Sequence, residues 1–208
     1  GYVETAMLEN TWRMCDNPTG ILLDSPRPGD PGSWYIHSYR ETMLSFGLLV
    51  KYRSNQAAQQ HGLRAIEQMR RASQNLDQWD FSFGADAEHM LVPARHAYTH
   101  GRAIEGLVWF GEATGDSAAL ELAGRLATYH LENTICPDGG LVEDHGNHAH
   151  SLLNTWRGLL LYGELTRQRT YIDAIEKTYR HAVAALIAPS GYLTHDIDTA
   201  QMALGDVA

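Results

Sequence analysis

Pro137-Asp138-Gly139-Gly140-Leu141-Val142-Glu143-Asp144 can be written above Pro189-Ser190-Gly191-Tyr192-Leu193-Thr194-His195-Asp196, and Pro, Gly, Leu and Asp coincide at an offset of 189 − 137 = 52. The same offset carries Gly106-Leu107 onto Gly158-Leu159, Gly111-Glu112 onto Gly163-Glu164 and Thr114 onto Thr166. A weaker copy, Pro18-Thr19-Gly20-Ile21-Leu22, stands near the start. Repetition at periods of roughly 20 to 50 residues marks stacked supersecondary units, because one such unit cannot bury its apolar face alone. The chain therefore reads as repeated helical hairpins.

Hydropathy along the chain alternates between two kinds of helix. Residues 36–52, 96–113 and 151–165 are apolar nearly all round, which predicts burial on several sides. Residues 56–73, 117–131 and 170–187 carry one dry stripe: Leu63, Ile66 and Met69 in the first, Tyr171, Ile172, Ile175, Tyr179 and Val183 in the last. A helix over residues 1–15 stops at Asp16-Asn17-Pro18, and Asp198 to Ala208 opens a further inner-type helix. The Pro/Gly-rich stretch 18–33 and residues 75–95 read as long loops. Fully buried and half-exposed helices in alternation are what an inner and an outer ring require. The expected fold is all-α, an (α/α)6-type toroid of helical hairpins in one domain over residues 1–208. At ~50 residues per hairpin a closed ring of six needs ~300 residues, so the chain is expected to form part of a barrel.

Composition narrows the function classes. A net charge of −9 with 16 scattered Lys and Arg argues against a nucleic-acid partner. No run approaches ~18 consecutive apolar residues, so no membrane span is expected. Cys15 and Cys136 end different helical segments and read as two free thiols, with one disulfide as the alternative. Neither a G-x4-G-K-[ST] loop nor a G-x-S-x-G elbow occurs. The densest chemistry lies between Pro137 and Trp156, where Glu143, Asp144, His145, His148 and His150 separate a Pro/Gly turn from an apolar helix.

The run His100-Gly101-Arg102-Ala103-Ile104-Glu105-Gly106-Leu107 with Thr114-Gly115-Asp116, and the run His148-Ala149-His150-Ser151-Leu152-Leu153-Asn154-Thr155-Trp156-Arg157-Gly158 with Thr166, resemble the six-hairpin glycosidase superfamily. Within it they are similar to β-L-arabinofuranosidase-like glycoside hydrolases and, through His100-x4-Glu105, more loosely to the N-acylglucosamine 2-epimerase group. The resemblance implies a carbohydrate substrate that enters where the inner helices begin, at residues 30–41, 77–105, 138–157 and 190–198. The arabinofuranosidase type holds a cysteine nucleophile in a zinc-binding cysteine cluster. This chain has two distant cysteines, so no metal and no cofactor are carried over.

Glycoside hydrolysis needs a proton donor and a second carboxylate as nucleophile or base. Glu143 and Asp144 rank first for these roles and Glu105 next, with His145 as a further acid/base candidate. Acids near helix starts also cap helices, which is the competing reading. Sugar contacts are assigned to His100, Arg102, His148, His150, Arg157, His195 and Asp196, and to the rings of Trp34, Trp79, Trp156 and Tyr192, because apolar sugar faces stack on aromatics. A zinc set from Asp144, His145, His148 and His150 is chemically open, although its spacing matches no compact pattern. The expected function is a glycoside hydrolase. The alternatives are a sugar epimerase or isomerase moving a proton with His100 and Glu105, and a non-catalytic helical-repeat scaffold. A homo-oligomer is compatible with each, and no compartment is indicated.

Overall fold

The computed structural model describes residues 2–16, 23–24, 33–34, 38–80, 91–93, 100–142, 148–184, 187, 189–191 and 193. The protein is all-α. Its helices are α1 (Tyr2–Cys15), α2 (Ser38–Arg53), α3 (Gln56–Ala72), α4 (Ala103–Thr114), α5 (Ser117–Asn133), α6 (Ala149–Thr166) and α7 (Arg169–Thr178), the last continued by a π-helical segment, Tyr179–Val183. Among the described residues no helix is long and apolar enough to cross a membrane.

Each hairpin corner is built the same way. Ser54 (φ 49°), Gly115 (φ 72°) and Arg167 (φ 58°) take the left-handed conformation that ends α2, α4 and α6. The next helix then starts within one residue. Asn55 accepts from the Ala58 amide at 2.9 Å and Asp116 from the Ala119 amide at 2.7 Å, satisfying N–H groups that α3 and α5 cannot pair internally. Thr114 and Thr166, 52 residues apart by 166 − 114, each return their hydroxyl to a carbonyl four residues back.

α2 packs on α4 and α4 on α6, and each of these three packs on the helix that follows it. Glycines set the spacing. A Cβ at Gly106 would stand 2.8 Å from the Arg40 carbonyl oxygen and from Met43 Cβ, and one at Gly158 2.8 Å from Ile104 Cβ. The contacts from Arg40 and Met43 to Gly106, and from Gly47 to Phe110, run α2 and α4 side by side in the same direction. Met43, Phe46, Leu107 and Phe110 belong to one buried cluster with Met69 and Leu122.

The 52-residue repeat survives in three dimensions. The bridges Ile135↔Leu141 and Ile187↔Leu193 are related by 187 − 135 = 193 − 141 = 52. Gly139 (φ 92°) and Gly191 (φ 85°) turn the same corner inside them.

Several expectations are corrected. The two long loops contain antiparallel ribbons, β1 (Leu23–Asp24) with β2 (Ser33–Trp34) and β3 (Gln78–Asp80) with β4 (Leu91–Pro93). They are too short for an alternating pattern to show in the sequence. The helix expected from residue 96 begins at Ala103, after a turn in which the Ala103 amide bonds the His100 carbonyl at 3.0 Å. Leu63 is 38% exposed, because small residues (Ala58, Gly62 and Ala65) carry the buried stripe of α3 and admit the Phe110 ring. Tyr179 is 46% exposed rather than inward. The π-helical turn moves the inward phase from Thr178 to Val183, five residues on. Cys15 and Cys136 are both free thiols. The segment 198–208 and the copy at 18–22 lie outside the described residues.

Candidate functional site

Charged residues of α2, α4 and α6 gather where α2 and α4 begin. Glu105, in the first turn of α4, is 1% exposed, and a carboxylate so buried is costly unless it is paired. Two guanidinium groups pair it. Arg40 of α2 donates through Nε to Oε2 at 2.5 Å, and Nε of Arg157 on α6 lies 3.0 Å from Oε1. The carboxylate therefore joins three helices by charge-assisted contacts.

The network extends outward. Arg40 Nη1 and Arg102 Nη2 both donate to Glu41 Oε1 at 3.0 Å. Burial pushes the Glu41 carboxyl up, but its backbone hydrogen bond and the Arg40 and Arg102 guanidiniums outweigh that and hold it below the usual range. Burial likewise works against the Arg40 charge, and its bonds to Glu105 and Glu41 raise it above the ordinary value. Glu41 and Arg157 are exposed, whereas Arg102 is buried.

His100 occupies a different environment from the one expected. Its Nε2 lies 3.2 Å from the Leu76 carbonyl oxygen and its Nδ1 3.0 Å from His130 Nε2. A carbonyl only accepts, so Nε2 of His100 carries the proton and its Nδ1 accepts from His130 Nε2–H. His130 Nδ1 then has no hydrogen and, among the described residues, no hydrogen-bond partner. Trp79, 0% exposed, stacks on His100 at 5.2 Å, and Tyr129 meets it edge-on at 5.3 Å. Burial pulls His100 down to about 4, only partly opposed by the Leu76 carbonyl and Asp77. Burial, then the neighbouring His100, pull His130 well below its ordinary value too. A neutral, packed pair positions the entrance of α4 and does not exchange protons near neutrality.

At the start of α6, His148 holds the cap position and its Nδ1 lies 2.8 Å from Ser151 Oγ. His150 is exposed, with its ring 6.1 Å from that of His148. Trp156 and Asn154 are buried, and among the described residues neither Trp156 Nε1 nor Asn154 Nδ2 has a hydrogen-bond partner.

The predicted residues thus divide into four groups, of which His148 and His150 at the start of α6 are one. Glu105, Arg157 and Arg102 come together in one network, Arg157 by direct contact with Glu105 and Arg102 through Glu41 and Arg40. His100, Trp79 and Trp156 belong to the core. Glu143, Asp144, His145, Tyr192, His195 and Asp196 lie outside the described residues, as does the side chain of Trp34 in β2. Among the described residues no three His, Cys, Asp or Glu side chains could share a metal ion.

Sequence reasoning missed Arg40 and His130. His130 was legible as a polar residue on the buried phase of α5, in line with Leu122, Ala123, Leu126 and Ala127. The Glu105–Arg157 pair also had a signal, opposite charges at one repeat position, since 157 − 105 = 52. No protein-family model matches the chain, and no curated protein matches it.

Proposed function

We propose that the chain is a portion of an α/α toroid in a carbohydrate-active enzyme, and that its reaction is glycoside hydrolysis. The observation that carries this reading is the chain of charges Arg102–Glu41–Arg40–Glu105–Arg157, laid across the starts of α2 and α4 and the flank of α6. A polar cluster fixed on rigid helices is the kind of scaffold that orients a hydroxyl-rich ligand. Its exposed members, Glu41 and Arg157, with His150, hydrogen-bond the sugar.

Glu105 is a positioning residue in this reading, because a guanidinium already stands against each of its oxygens. The proton donor and the second carboxylate are then Glu143 and Asp144, with His145 beside them. These residues lead into α6, whose Thr155 and Gly158 pack on Gly101 and Ile104 at the same entrance. A sugar epimerase would want histidines facing one another across a pocket. His100 and His130 instead touch directly at 3.0 Å, which favours the hydrolase.

A proton NMR time course in deuterated buffer, against a panel of glycosides and free sugars, tests the assignment. New anomeric signals are expected, and Glu143→Gln and Asp144→Asn should each lower turnover by about 10²-fold or more while the fold is kept. Deuterium entering at carbon without cleavage would move the reading to the epimerase. Silence on both counts would sink it.

A further inference from the structure

Arg157 commits only part of its guanidinium to the protein. Its Nε stands 3.0 Å from Glu105 Oε1, its side chain is 60% exposed, and among the described residues Glu105 is its one ion-pair partner. With Nε turned to Glu105, the Nη1/Nη2 end of the group is left as a pair of parallel N–H donors. The other two guanidiniums are more deeply held. Arg40 and Arg102 both donate to Glu41, and Arg40 also donates to Glu105.

Among the described residues, three guanidiniums therefore meet two carboxylates in this network, in a chain whose net charge is −9. A fixed positive excess whose exposed member is Arg157 favours an anionic ligand. A second donor stands beside it. Asn154 precedes Arg157 by three residues and His150 precedes it by seven, which places all three on one flank of α6. Asn154 is 7% exposed, and among the described residues its Nδ2 has no hydrogen-bond partner. A buried N–H left unpaired is costly, so an acceptor brought to this flank by a ligand meets a donor that is already desolvated.

We infer that the sugar taken by this site is a uronic acid, its carboxylate held end-on by Arg157 and a neighbouring hydroxyl oxygen by Asn154. The inference rests on the reading of the charge network as the sugar site. Carboxylate and guanidinium are both planar, and two parallel N–H···O bonds fix the orientation of the sugar as well as its charge. A neutral hydroxymethyl group in the same place cannot do this. Arg157 sets the specificity, and Glu105 holds Arg157 in position.

The test uses the whole chain, ¹⁵N-labelled. Glucuronate and glucose, which differ only in carrying a carboxylate or a hydroxymethyl group, are titrated against it, with acetate as the anion alone. Glucuronate is expected to give saturable shifts of the Arg157 Nε–H and the Asn154 side-chain amide, and glucose and acetate to bind about tenfold more weakly, the scale of a charge-assisted hydrogen bond. Arg157→Ala leaves Glu105 paired by Arg40 and should abolish the preference for glucuronate. Arg157→Lys, which keeps the charge and loses the two-pronged end, should retain only part of it. No saturation, equal binding of glucose or of acetate, or a preference that survives Arg157→Ala would overturn the inference. Turnover is read separately on matched aryl glucuronide and aryl glucoside. Hydrolysis of both at one rate would keep the hydrolase and overturn the uronic acid. Glucuronate binding that Arg157→Ala abolishes, with neither glycoside cleaved, would support the uronic acid and sink the hydrolase.

Discussion

Arg157 Nε lies 3.0 Å from Glu105 Oε1, and the two residues hold the same position in successive repeats. One repeat position carries opposite charges in α4 and α6, and the two neutralise each other between these packed helices. The pair is asymmetric, with Glu105 1% exposed and Arg157 60% exposed.

That asymmetry sets unequal costs for removing the partners. Glu105→Ala leaves the half-buried Arg40 with only the exposed Glu41 as counter-charge and is expected to destabilise the fold by about 3 kcal/mol. Arg157→Ala removes a solvent-screened partner while Arg40 still pairs the acid, so its cost should stay below about 1 kcal/mol. Urea unfolding of both variants measures the difference. Equal losses would contradict the burial argument.

The glycine contact between α2 and α4 makes a second prediction. Gly106→Ala would push Cβ against the Arg40 backbone, which cannot swing away as a side chain could. Overpacking of this kind costs about 1–3 kcal/mol despite the better helix propensity of alanine. Thermal unfolding should show a lower midpoint.

Stability should also follow pH through the histidine pair. His100 falls to about 4 when folded against an ordinary 6.5, so between those values the unfolded chain binds more protons. The stabilisation is complete above pH 6.5 and is lost as pH falls towards 4, by up to about 3 kcal/mol, with His130 acting in the same direction. Denaturation at a series of pH values reads the slope, and His130→Gln should flatten it.

The three hairpin corners offer a gain of stability. Arg167 takes the conformation that Gly115 supplies one repeat earlier, and a side chain there is strained by about 1 kcal/mol or more. Arg167→Gly is expected to stabilise the protein by a few tenths to about 1 kcal/mol after the entropy of the unfolded glycine is counted. Gly115→Ala should do the reverse through backbone strain alone, because its Cβ would meet nothing within 4 Å.

The sequence was most legible where periodicity is long. α3 and α5 were placed within two residues of their ends, since a stripe repeated over several turns leaves little freedom and Asn55 and Asp116 mark the starts. The ribbons at 23–34 and 78–93 left no such trace, because strands of two or three residues have no period. Of the candidate site, Glu105 and Arg157 were identified individually, but Arg40, the second cation on Glu105, was not, since nothing local marks a single charge at a helix start. His100 was assigned a sugar contact on the resemblance carried by the run from His100 to Leu107. The fold buries it through Trp79 and His130, contacts 21 and 30 residues away that no local pattern encodes.

The π-helical turn after Thr178 limits how far findings can be transferred between the repeats. Offset by 52, Thr178 and Leu126 are both buried, but Tyr179 points to solvent where Ala127 is sealed in the core. The residue count between repeats is unchanged, since Ile187 still answers Ile135. Substitutions tested in α5 therefore forecast their α7 counterparts as far as Thr178, and beyond it the aligned position answers to a different solvent exposure.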